Sequence, residues 1–283
     1  GSMHSDSNYK SQSKNINKAF NRIKRVFCIS LFLQSAVLFL SFFSITDKTI
    51  AVGGISNSKV IVPNTETVPL KRFEIEPFFG LVVVDDKDKK VGFEAGGRFT
   101  VGALESLEVG ANVGYLSVED TNVIGTEAVL GNIEAGLKYR FFDQGDDFPF
   151  SLAYEGGITF PTSSTDELWV FEPVGFIFTR NFGEYFSMDA DIVLALIEDQ
   201  GFGVTSEVGF GYFVRSWLQP VIEAAYSLED LEGDESISVM NITAGFTAPV
   251  TEMVTIILGV TPDVYTKNTD NKILVSLAFT FLF

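Results

Sequence analysis

The chain has 283 residues, 46% of them hydrophobic, and a mean hydropathy of +0.23; yet beyond residue 45 no apolar run reaches the about 20 residues that a membrane-crossing helix needs. Its formal charge is −17, and from residue 52 onward 13 basic residues stand against 35 acidic ones, which excludes nucleic acid as a partner because phosphate binding requires a basic face. The single histidine, His4, and the single cysteine, Cys28, both precede residue 30, so a mature chain starting later has no disulfide, no Cys/His metal centre and no histidine-based catalysis.

Gly1-Ser2-Met3 reads as a cloning remnant, and residues 4–17 are polar. Lys18, Arg22, Lys24 and Arg25 then precede an apolar stretch from Val26 to Ile45. This is the order of a secretory signal, a basic region followed by an apolar one. Small residues around Thr49-Ile50-Ala51 place cleavage after Ala51; an uncleaved membrane anchor is the alternative reading. Residues 52–70 mix Gly, Ser, Asn, Pro and Thr and read as a periplasmic lead-in, too short for a folded plug domain.

From Lys71 onward, segments of 11 residues or more alternate apolar with small or polar side chains, the signal of a β-strand. Strands of this length suit a membrane wall, which needs roughly 9–11 residues per crossing. The spacing predicts twelve: 71–83, 90–103, 107–118, 123–141, 148–160, 168–180, 184–197, 201–213, 217–229, 236–247, 252–264 and 271–283. In 184–197, Phe186, Met188, Ala190, Ile192, Leu194 and Leu196 fall on one face, opposite Ser187, Asp189 and Asp191. Alternation slips once, around Glu172-Pro173. The last segment places Ile273, Val275, Leu277, Phe279, Phe281 and Phe283 on one face and ends on an aromatic, as outer-membrane barrels do; Phe283 is the candidate signal for the barrel-assembly machinery. Tight connections (103–106, 181–184, 214–217, 248–251) alternate with longer, charged ones, as short periplasmic turns alternate with outer loops. Both termini then fall on the periplasmic side. The expected fold is all-β, a membrane-spanning antiparallel up-and-down β-barrel over residues 71–283.

The polar faces are rich in Gly, Ala and Ser with isolated carboxylates, which suits a narrow lumen better than a solvent-facing sheet. A unit of Glu, any residue, Gly, two residues, then an aromatic recurs at Glu94–Phe99, Glu134–Tyr139, Glu155–Phe160 and Glu207–Tyr212. Residues five apart lie on opposite faces of a strand, so the Glu faces the lumen, the ring faces lipid, and the Gly leaves room beside the Glu. The candidate lumen lining is Glu74, Glu76, Glu94, Glu108, Glu134, Glu155, Asp189, Asp191, Glu207 and Glu223, with Arg98, Lys138 and Arg140 as bases. Acidic rings favour cations; alternatively these carboxylates pair with the bases and fill the lumen. Asp85-Asp86-Lys87-Asp88 reads as a solvated turn rather than a calcium site. No cofactor or metal is expected, nor an enzyme.

The run Arg98-Phe-Thr-Val-Gly-Ala-Leu-Glu-Ser-Leu-Glu-Val-Gly110, a strand, a turn and then Leu107-Glu108-Val109-Gly110, resembles the MetA-pathway-of-phenol-degradation family of outer-membrane transporters. That resemblance implies uptake of small, aromatic solutes and supplies no site residues. The sequence thus points to a monomeric barrel in the outer membrane of a Gram-negative-type bacterium, in contact with lipid and passing small solutes, cationic or aromatic. A closed structural or adhesive barrel is the alternative.

Overall fold

The computed structural model describes residues 54–56, 59–84, 90–119, 127–162, 169–198, 201–231 and 236–283. The expected signal peptide and the Asp85–Asp88 turn lie outside them. Twelve strands form among the described residues: β1 (Phe73–Val84), β2 (Lys90–Leu104), β3 (Leu107–Glu119), β4 (Glu127–Phe142), β5 (Ser151–Phe160), β6 (Val170–Phe182), β7 (Phe186–Ile197), β8 (Gly201–Tyr212), β9 (Gln219–Leu231), β10 (Ile237–Thr251), β11 (Val254–Lys267) and β12 (Lys272–Leu282). Each pairs antiparallel with its chain neighbours, and β1 pairs with β12 to close the barrel. Closure leaves no sheet edge, so every strand finds partners for its backbone groups without water. Residues 145–149, between β4 and β5, belong to a separate compact unit, in which the Gly145 amide donates to the Phe148 carbonyl at 2.9 Å.

Alternation decides which side chain faces where. In β7, Ser187, Asp189, Asp191, Val193 and Ala195 are buried inside, while Ile192, Leu194 and Leu196 are exposed outside. The exterior repeats this with Ile75, Phe79, Leu81, Phe93, Phe99, Ile133, Leu137, Ile222 and Val260. Aromatic rings cluster at the rim that holds both barrel ends. Phe73 stacks on Phe283 at 5.1 Å, Phe182 lies 5.5 Å from Phe186, and Phe142 and Phe178 flank Phe150 at 5.9 and 5.8 Å. An apolar band bounded by such rings is the outer surface of a membrane barrel.

Two strand regions depart from the expected pattern. β6 bulges between Phe171 and Val174, where the alternation slips, and Pro173, which has no N–H for the ladder, sits in the bulge. The bulge turns Glu172 inward to full burial, a lining residue that regular alternation misses. β10 runs on through the expected turn at 248–251 as far as Thr251, with an irregularity between Pro249 and Thr251.

The described part of residues 52–70, expected as a periplasmic lead-in, lies against the inner face of the wall. Ile55, Lys59, Val62, Thr65 and Val68 are all buried, and Gly54, Ser56, Lys59, Ile61 and Thr65 bond to inward side chains of six strands, β2, β3, β4, β6, β7 and β9. No folded plug domain is needed. An extended strap suffices because the wall supplies the acceptors its amides require.

Candidate functional site: an acidic inner wall crossed by a strap

The strap is pinched where it enters and returns. Glu108, on β3, accepts from the Ser56 amide at 2.7 Å and from the Val68 amide at 2.7 Å, tying together two points twelve residues apart. Lys138, its cross-strand partner on β4, donates to the Ser56 carbonyl at 3.0 Å and the Asn64 carbonyl at 3.1 Å, and stands 3.2 Å from Glu108 Oε1. Both side chains are 0% exposed. A buried charge is tolerated only when paired and hydrogen-bonded, and each satisfies the other here. Thr100 completes this end by donating to the Gly54 carbonyl at 2.8 Å. Gly110 is required beside it, since any Cβ there would run into the Gly54 carbonyl.

The middle of the strap crosses to the opposite wall. The amides of Val60, Ile61 and Val62 donate to the Glu223 carboxylate of β9 at 3.1, 3.0 and 3.4 Å. Successive amides pointing one way form a concave anion nest. Lys59 forms a buried ion pair with Asp189 of β7. Asp189 also accepts from Thr179 at 2.6 Å, and Thr179 in turn accepts from the Thr65 amide at 3.0 Å. Ile55 joins Ala153, Ile177 and Val193 in an apolar cluster on the inner wall. Sequence reasoning passed over Lys59, a base in a stretch without periodicity; no pattern within the strap indicates its partner.

The remaining candidates fall into three groups. Arg98 bridges Glu74 and Glu76, both at 2.8 Å, and Glu134 accepts from Asn112 at 2.7 Å. Arg140 lies at the rim, half-buried and 3.2 Å from Asp143, and Glu94 is half-buried over Gly80. Glu155, Asp191 and Glu207 are buried, and both oxygens of Glu155, Oδ1 of Asp191 and Oε2 of Glu207 have no hydrogen-bond partner among the described residues. Asp191 pairs directly across the ladder with Glu207, and Glu155 acts on both electrostatically.

Glycine makes room for these acids in a way the sequence repeat does not indicate. The clearance for a carboxylate comes from the residue across the ladder: Gly80 opposite Glu94, Gly175 opposite Glu155, Gly209 opposite Glu223. Directly opposed residues stand closer, about 4.5–5.5 Å between Cβ atoms, than same-face neighbours along one strand.

A closed twelve-strand wall, apolar outside and carboxylate-rich inside, has the architecture of outer-membrane channels. Solved structures agree. The chain superimposes on the COG4313 outer membrane channel from Pseudomonas putida F1 with a TM-score of 0.65 at 11% identity, covering 77% of this chain and 98% of that one. The NanC porin aligns with a TM-score of 0.51 at 6% identity, covering 73% and 98%. No protein-family model matches the sequence, and no curated protein does.

Proposed function

We propose that this chain is an outer-membrane channel for small cationic solutes, its terminal-side mouth narrowed by the strap. The observation that carries this reading is the inner wall, on which Glu155, Asp191 and Glu207 present buried carboxyl oxygens that no described residue hydrogen-bonds. Acidic linings favour cations, and this favours cationic over aromatic solutes. The COG4313 channel and the NanC porin, by their own descriptions a channel and a porin, share the fold. In this reading residues 1–51 are the cloning remnant and the export signal, the strap end faces the periplasm, Phe283 is read by the barrel-assembly machinery, and the folded protein is a monomer in the outer membrane of a Gram-negative-type bacterium.

The test is conductance of the refolded, signal-free protein in planar bilayers. Small, cation-selective current is expected from the wild type, and larger current from Glu223→Ala, which frees the three strap amides. The strap's many bonds favour one rival, a permanently closed structural or adhesive barrel. Folded protein silent in both forms would establish that rival.

A further inference from the structure

The structure already holds one ammonium group inside the wall. Lys59 Nζ sits against Asp189, which Thr179 also holds, and the lysine side chain is 1% exposed. Its charge also reaches Glu223, but that carboxylate is taken up by the three strap amides. Beyond Asp189 lie Asp191 and, across the ladder from it, Glu207, each with a buried oxygen lacking a partner among the described residues. The row therefore holds more carboxyl groups than the single tethered ammonium can bond. Among the described residues no three such groups are placed to hold a metal ion, so a bare ion is the wrong shape. A cation with separated charges and N–H donors is the right one.

We infer that Asp189, Asp191 and Glu207 form a binding station for an aliphatic diammonium cation, which the chain's own Lys59 half-occupies. Asp189 and Asp191 are two residues apart on one face of β7, about 6.6–6.8 Å along a strand. A four-carbon diammonium matches that span. One end takes the place of Lys59 on Asp189, and the other supplies the donors that Asp191 and Glu207 lack. The room comes from the departing lysine and strap. A tethered group competes as though present at millimolar concentration, so the strap sets a threshold: little cation leaves the mouth narrowed, and more displaces Lys59 and loosens the strap. The inference rests on the channel reading only for the route by which the cation arrives.

The test uses the whole folded protein in detergent, with 1,4-diaminobutane as probe and 1,4-butanediol as its neutral counterpart. Calorimetry should show saturable binding of the diamine and none of the diol. Lys59→Met should tighten binding, and Asp191→Asn or Glu207→Gln should weaken it about tenfold, the loss of one charge-assisted contact. Glu252→Gln, in the exposed β10–β11 turn, should leave it unchanged. Diamine binding equal in Lys59→Met and wild type, or equal after Asp191→Asn with Glu207→Gln, would overturn the inference. A second readout needs no variant: diamine should accelerate tryptic cleavage after Lys59, whereas sodium chloride at matched ionic strength should not. Equal acceleration by salt, or none at saturating diamine, would also overturn it. Conductance without any diamine effect would remove the station and leave the channel, and diamine binding to a silent barrel would do the reverse.

Discussion

At the scale of single residues, Glu223 does the most for the strap, since one carboxylate receives three successive amides. Hydrogen bonds to a charged group contribute about 1.5–3 kcal/mol each. Glu223→Gln keeps the shape but removes the charge, and should speed proteolytic cleavage between residues 59 and 68 by roughly tenfold while the barrel stays folded. An unchanged cleavage rate would mean that the Glu108–Lys138 clasp holds the strap alone. Gly175 offers a second test. A side chain there runs into Glu155, so Gly175→Val should destabilise the barrel by about 1–3 kcal/mol, the usual cost of overpacking, read from its urea unfolding midpoint in micelles. Strand parity in the sequence indicates which acids point inward, because two-residue alternation is a local property. It does not indicate their partners. Glu108 meets Ser56 across 52 positions, and nothing local to either residue encodes that meeting. Lys59 escaped notice for the same reason.

At the scale of elements, all twelve strands were legible because burying one face against lipid and the other in a lumen imposes a strict period of two. Where the period broke, the break itself was informative: Glu172-Pro173 marks the bulge in β6. The strap was not legible as an element. Its described residues form no helix or strand of their own, so their conformation is set as a complement to the wall. The same division of faces yields a test of the exterior. Ile192, near the middle of β7, is exposed outside, and Ile192→Arg should cost about 2–4 kcal/mol in lipid vesicles, the cost of a cation at the membrane midplane. The loss should shrink in a detergent whose charged headgroups reach the barrel wall. Equal loss in both media would mean that the damage lies in the strand ladder rather than at the lipid contact.

At the scale of the whole molecule, the barrel exists only once β12 meets β1, the pairing that joins the two ends of the barrel chain. Its rim end is fixed by Phe73 and Phe283, whose amides and carbonyls exchange bonds at 3.2 and 2.9 Å while their rings stack at 5.1 Å. Among the described strands this is the most non-local pairing, so it bears the largest loop-closure cost of the strand ladder during folding. Phe73 is also joined to the strap through the tight turn at Arg72, whose amide donates to the Pro69 carbonyl at 2.9 Å. Closing the barrel and seating the strap are therefore neighbouring events. Phe283→Ala keeps the backbone exchange but removes the ring, worth about 0.5–1.5 kcal/mol beyond its buried area. A loss of that size leaves the closed barrel stable, so the refolded variant should keep its heat-resistant, compact electrophoretic mobility. If Phe283 is also what the assembly machinery reads, the defect in cells should be far larger than this stability loss, appearing as unassembled chain in the periplasm. Normal assembly in cells with the small loss in vitro would confine Phe283 to the seam.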